Sequence, residues 1–206
     1  MKHLLCVSAA AALLTGCLDG EFDNAVSTYT NIEPGVCQGI YSDEEGPVFV
    51  SACEGVGPWT VYVHADSHRE MTAYATVPVE PGERPEHFAF GGYMGNMGGY
   101  NSTIEWRLKR EGGEPFATIH RYRFPDMEDF SRAREILTVS ALRADYAFES
   151  CHVGYVDATD LPDANALARE LADRLSYTYH CGSDHVWVID RYTPTIEAAI
   201  AARQAD

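Results

Sequence analysis

After residue 17 the chain has no apolar run long enough to cross a bilayer as a helix, which takes roughly 20 residues. Cations are scarce: 15 Lys and Arg stand against 31 Asp and Glu, a formal net charge of −16. That surplus repels phosphate backbones and anionic lipid surfaces, so nucleic acid is excluded as a partner, and it keeps a surface solvated. No C-x-x-C occurs, which removes the commonest zinc and thiol-redox spacings. No G-x-S-x-G elbow occurs, and no Ser or Cys sits in a recognisable arrangement with His and a carboxylate. The sequence therefore names no catalytic residue, no metal centre and no cofactor.

What is present begins at the N-terminus. Met1-Lys2-His3 is a short positive head, and the apolar run Leu4 to Leu14 follows. About a dozen such residues are too few to span but suit the core of a secretory signal. The run closes on Leu14-Thr15-Gly16-Cys17, which resembles the lipobox of bacterial lipoproteins. There a peptidase cuts before the Cys, and the thiol receives a diacylglycerol group. The resemblance covers residues 1–18 and implies that 1–16 are a signal peptide and that Cys17 is lipidated. Acyl chains contribute roughly 0.8 kcal/mol per buried methylene, so two or three hold firmly. Leu18 stands where an Asp would retain an enterobacterial lipoprotein in the inner membrane, which favours the outer membrane and a domain facing the periplasm.

Leu18 to Pro34 is polar, acidic and without period. Residues 17–34 are thus expected to be the lipidated Cys and a flexible acidic tether. Residues 35–206 are expected to form one domain, long enough for its own core. Cys6 leaves with the signal and Cys17 takes the lipid, so Cys37, Cys53, Cys151 and Cys181 remain, an even number in a compartment that permits disulfides. Of three pairings, Cys37–Cys53 and Cys151–Cys181 close the shortest loops and are expected.

Short strands are expected at Val48 to Val50, Trp59 to His64, Met71 to Val77, Thr103 to Leu108, Phe116 to Phe124, Glu135 to Leu142, Cys151 to Ala158 and Val186 to Ile189. In Thr103 to Leu108 the alternation turns Ile104, Trp106 and Leu108 inward and leaves Glu105 and Arg107 on an outer face. There they could pair across the hairpin with Arg121 or Arg123. The period changes after Pro162. Ala164, Leu167, Ala168, Leu171, Ala172 and Leu175 recur at helical spacing, predicting one long amphipathic helix to about Tyr179, with Arg169 opposite its apolar stripe. Pro194 opens a short terminal helix. The order is not the steady alternation of a parallel sheet. The expected fold is α+β: an antiparallel sheet with the long helix packed on one face and a short C-terminal helix.

Several strings carry a second likeness: Thr103-Ile104-Glu105-Trp106-Arg107, Phe116-Ala117-Thr118-Ile119 with Arg121-Tyr122, Cys151 to Ala158, and Pro162 to Arg169 with Cys181-Gly182. Together they resemble an uncharacterised group of exported alphaproteobacterial proteins over roughly 103–182. The resemblance implies export and a shared fold, and nothing catalytic. Upstream of Thr103 the chain departs from the group, notably in its Gly-Met loop.

The remaining candidates are weak. His64 and His68 are four apart at a strand end. His152 and His180 adjoin Cys151 and Cys181, so a bridge would bring the imidazoles near one another, and Met94 and Met97 would add soft thioethers suited to copper. Exposed Tyr93 and Tyr100 would suit a binding face. The expected function is an envelope lipoprotein with a non-enzymatic binding or interaction domain. Its partners would be the membrane, through the lipid, and an envelope protein or small ligand. The alternative is a periplasmic hydrolase or a copper-binding protein.

Overall fold

The computed structural model describes residues 24–33, 35–83, 85, 98–143 and 149–205. The signal segment, Cys17, Tyr93, Met94 and Met97 lie outside these. Along the chain run β1 (Val26–Asn31), β2 (Gln38–Ser42), β3 (Phe49–Glu54), β4 (Thr60–Ala65), β5 (Glu70–Ala75) and β6 (Gly99–Leu108). Then come β7 (Pro115–Pro125), β8 (Ala133–Leu142), β9 (Ser150–Asp157), α1 (Ala164–Leu175), β10 (Trp187–Ile189) and α2 (Ile196–Ala205). The strands form two sheets where one was expected: a six-stranded sheet ordered β1-β6-β7-β8-β9-β10 and a four-stranded sheet ordered β2-β3-β4-β5. Neighbours in both are antiparallel, except that β10 joins β9 in parallel.

The large sheet is buried on both faces. On one, Ala117, Ile119, Leu137, Val139 and Val153 meet the stripe Ala164, Ala168, Leu171, Ala172 and Leu175 of α1. On the other, Ile104, Trp106, Leu108 and Leu142 meet Cys53, Trp59, Val61, Val63 and Tyr74 of the small sheet and its turns. The result is three layers: helix, sheet, sheet. The inward face read for Ile104, Trp106 and Leu108 is correct, and it is the face that the second sheet covers.

Small residues let the layers approach. A Cβ at Gly154 would stand 2.6 Å from the Trp187 carbonyl oxygen and 2.9 Å from Leu171 Cδ2. Gly154 therefore clears room on β9 for both β10 and the helix. A Cβ at Gly55 would lie 2.4 Å from the Trp59 carbonyl oxygen and 2.8 Å from Trp106 Cη2.

The seam between the sheets solves an edge problem. β5 is an edge of the small sheet, and an open edge invites pairing with another chain. Its outward N–H groups are taken up instead by the large sheet. Glu70 N–H donates to Gly98 O at 3.2 Å, Thr72 N–H to Tyr122 Oη at 3.1 Å and Tyr74 N–H to Ser150 Oγ at 3.0 Å. Thr76 N–H donates to the Glu149 carboxylate.

Three expectations need revision. The helix read as long is α1, with 12 residues against 10 in α2, and it ends at Leu175 instead of near Tyr179. Gly182, at φ +87°, turns the chain well after the helix has stopped. The segment read as tether includes β1, which pairs with β6 from Val26↔Leu108 to Asn31↔Thr103. Any tether is therefore confined to the residues before β1. The disulfides form as the loop lengths indicate, Cys37–Cys53 and Cys151–Cys181, with sequence separations of 16 and 30. Loops of this size contribute roughly 3–4 kcal/mol in the chain-entropy account. They also place the chain in an oxidising, exported compartment.

Candidate functional site

Among the described residues the proposed His groupings do not assemble, and Met94 and Met97 lie outside those residues. The Cys151–Cys181 bridge forms, but its two flanking imidazoles have different surroundings. His152 stacks on Tyr155 at 5.6 Å, whereas His180 is largely exposed with its Nδ1 3.5 Å from Asp184. His64 sits within β4 opposite Val50 and Met71, while His68 belongs to the β4–β5 turn, its N–H on Asp66. Among the described residues no group of three His, Cys, Asp or Glu could hold a metal ion. Tyr100 is half-buried against Tyr122 and Phe124, so it does not offer an exposed aromatic face.

Glu105 and Arg107 also end up elsewhere. Their face lies beneath α1, beside β1, at 8% and 5% exposure. Arg107 clasps Asp173 through Nε (2.8 Å) and Nη2 (2.6 Å). Glu105 accepts from Arg169 Nε (2.6 Å) and Nη2 (3.2 Å). Ser27 links the pairs, accepting from Arg107 Nη1 at 2.6 Å and donating to Glu105. Arg121 pairs with Glu135 instead, at 2.6 Å.

Between the sheets lies a neutral hydrogen-bonded chain. His120, 1% exposed, has its Nε2 2.7 Å from Asn101 O. A carbonyl only accepts, so Nε2 carries the proton and Nδ1 accepts. Nδ1 is 3.3 Å from Thr72 Oγ1, which therefore donates to it, and Thr72 in turn accepts from Tyr122 Oη at 2.7 Å. Burial lowers the His120 pKa to about 4, against the partial relief given by Asn101, and raises that of Tyr122. His152 is also lowered to about 4 by burial, and among the described residues its Nδ1 has no hydrogen-bond partner. Part of His152 reaches the surface, which relieves some of that desolvation, whereas His120 is fully enclosed. This network is closed from solvent and joins the sheets.

Among the described residues an open concavity lies elsewhere, at the end of the sheets where β1 begins. Antiparallel pairing brings to this near end the β3–β4 turn, the β6–β7 turn, the end of β8 and the segment after α1. Pro58, Trp59, Lys109, Glu114, Arg143 and Tyr177 line a cleft of about 320 Å³ there. A shallower hollow of about 450 Å³ adjoins it, sharing Pro58, Lys109 and Glu114 and adding Arg110. Arg143 is fixed by the segment that follows the helix. Its Nη2 donates to the carbonyls of Ser176 (2.9 Å) and Tyr177, with that of Tyr179 at 3.4 Å. The Tyr177 ring has the Arg143 guanidinium 5.2 Å and the Lys109 ammonium 5.3 Å from its centroid, both within cation–π range. Two cations and an aromatic ring thus share one mouth on an otherwise acidic chain, chemistry that suits binding an anionic group. No sequence spacing signals this cleft, because four separate segments build it.

No family model matches the chain, and neither a curated protein nor a solved structure matches it. Among the described residues no helix is long and apolar enough to cross a membrane.

Proposed function

We infer that the chain is a bacterial envelope lipoprotein, anchored through acyl groups on Cys17, whose domain is a non-enzymatic binding module for an anionic group. The observation that carries this reading is the near-end cleft, where Lys109 and Arg143 converge on Tyr177. Its cations recognise negative charge, and its ring offers a face for stacking. The export signal, the lipobox and the two disulfides agree with an oxidising compartment outside the cytoplasm. Leu18 favours the outer membrane and a domain facing the periplasm. Metabolic labelling with palmitate tests the anchor. The wild-type chain should take up label and fractionate with membranes, and Cys17→Ala should do neither. Equal labelling of that variant would overturn the assignment.

A further inference from the structure

We propose that the near end of the domain lies on the membrane and that Lys109, Arg110 and Arg143 meet the phosphodiester headgroups of anionic lipids. The proposal rests on the lipoprotein reading and names the partner of the cleft just described. Three observations carry it.

The first is reach. Cys17 is eight residues before Ala25, whose carbonyl accepts from Arg107 Nη2 at 3.1 Å. However extended, eight residues span roughly 26–29 Å. β7 alone has 11 residues, about 37 Å of strand. The chain joins the fold at the near end, since Val26 pairs with Leu108 just before the Lys109 turn. A lipid on Cys17 therefore cannot sit beyond the far end, and it holds the near end close to the bilayer.

The second is charge. At the far end the connecting segments 43–48, 66–69, 126–132, 158–163 and 190–195 carry ten Asp and Glu against Arg69, Arg132 and Arg191. At the near end, turns 55–59 and 109–114, the segment 176–186, Arg143 and Glu149 carry three cations against Glu111, Glu114, Glu149 and Asp184, so this end is close to balance while the far end is strongly acidic. The Glu149 carboxylate at this end is occupied by the N–H and hydroxyl of Thr76. The acidic far end thus sits several Debye lengths from the bilayer, at about 8 Å each in physiological salt, while the near-end cations lie within about one.

The third is shape. Lys109 and Arg110 are exposed on a turn that stands at the rim of both hollows. A headgroup can enter beside Tyr177 without any change in the fold.

The test uses a property of the sequence: Lys2 and Lys109 are its two lysines. Lys2 leaves with the signal, and acylation blocks the new N-terminus, so an amine reagent reads Lys109 alone. The mature acylated chain is reconstituted on phosphatidylcholine vesicles, with and without phosphatidylglycerol. Flotation reports the anchor, and mass spectrometry reports the rate of Lys109 labelling. Phosphatidylglycerol should slow labelling at least fivefold, and 0.5 M salt or Arg110→Glu should restore most of it. An amine placed at the far end by Arg132→Lys should label equally on both vesicles. Flotation with equal Lys109 rates on both would overturn the docking while leaving the anchor intact. Protection by free glycerol phosphate on phosphatidylcholine vesicles, matching that by phosphatidylglycerol, would assign the cleft to a soluble anion and overturn the membrane as its partner. A chain that floats with neither vesicle would overturn the anchor and the docking together.

Discussion

The two buried faces of the large sheet handle polar groups in opposite ways. Beneath α1 the sheet carries full charges, Glu105 and Arg107, each clasped by a residue of the helix. Against the small sheet it carries neutral donors and acceptors, with His120, Thr72 and Tyr122 in one directed chain. The difference follows from access to water. The helix-side pairs run to the sheet margin, where the Asp173 and Arg169 side chains keep 21% and 41% exposure. A charge there retains part of its hydration, and its partner and hydrogen bonds supply the rest. The interior of the inter-sheet seam has no such outlet, so an ion there would bear the full desolvation cost, and the groups found there are neutral; the Glu149 carboxylate sits at its part-buried margin. A sheet covered twice is thus two environments.

The sharpest way to break this contrast is to orphan one charge. Arg107→Ala would leave Asp173 without its bidentate partner and Ser27 and the Ala25 carbonyl without a donor. Removing one partner of a buried pair typically costs about 3–5 kcal/mol, a large share of a total near 5–15. Denaturant melts with the disulfides intact should show that loss. Asp173→Ala in the same background should recover part of it, since the uncompensated carboxylate is then gone. A single-variant loss below about 1 kcal/mol would show that the pair is solvated after all. Leu171→Ala should come next. Leu171 is fully buried at the centre of the helix–sheet contact, and such cavities typically cost about 2–5 kcal/mol.

The neutral face makes the opposite kind of prediction, read through pH. The folded pKa of His120 is about 4, below its ordinary value of 6.5, so the unfolded chain binds the proton more readily. Stability from this group is complete above pH 6.5 and is lost as pH falls toward 4. The full drop is on the order of 3 kcal/mol for His120, with a smaller share from His152. Melts taken between pH 7.5 and 4 should show the decline. His152→Leu should flatten part of it, since among the described residues its Nδ1 has no partner to lose. A midpoint constant across that window would mean that the imidazoles remain hydrated in the fold.

Local period carries much of the fold. The alternation at 103–108 and the helical stripe at 164–175 are legible because a single buried face imposes its own spacing. The disulfides are legible from loop length. The second sheet is not, because period tells which side of a strand is covered and not by what. Glu105 and Arg107 read as outward, yet α1, some sixty residues downstream, closes over them. β1 reads as tether because its large apolar residues, Val26 and Tyr29, are exposed at a sheet edge. Its order comes from the ladder to β6. The cleft escapes for the same reason: Lys109, Arg143 and Tyr177 are distant in sequence, and topology alone brings them together.

Arg169 shows the limit of that legibility in one residue and supplies the smallest of these effects. On a helical wheel it lies opposite the apolar stripe, and the bare expectation for such a surface position is a change within roughly 0.5 kcal/mol on truncation. The structure gives it a partner that the wheel cannot show. Arg169 holds Glu105, a carboxylate at 8% exposure, through two nitrogens. Its own pKa is raised, first by that hydrogen bond. Arg169→Ala should therefore cost about 1–2 kcal/mol, above a surface pair and below a fully buried one. Two features keep the loss modest. Arg169 is itself substantially exposed, and Glu105 retains Ser27 and has Arg107 Nη1 3.9 Å away. Glu105→Gln in the Arg169→Ala background should remove most of the remaining penalty, because the amide needs no counter-charge. If Arg169→Ala shifts the midpoint no more than an Ala substitution at exposed Arg110, Glu105 is stabilised by Ser27 and Arg107 alone. The helix-side face then depends on one pair instead of two.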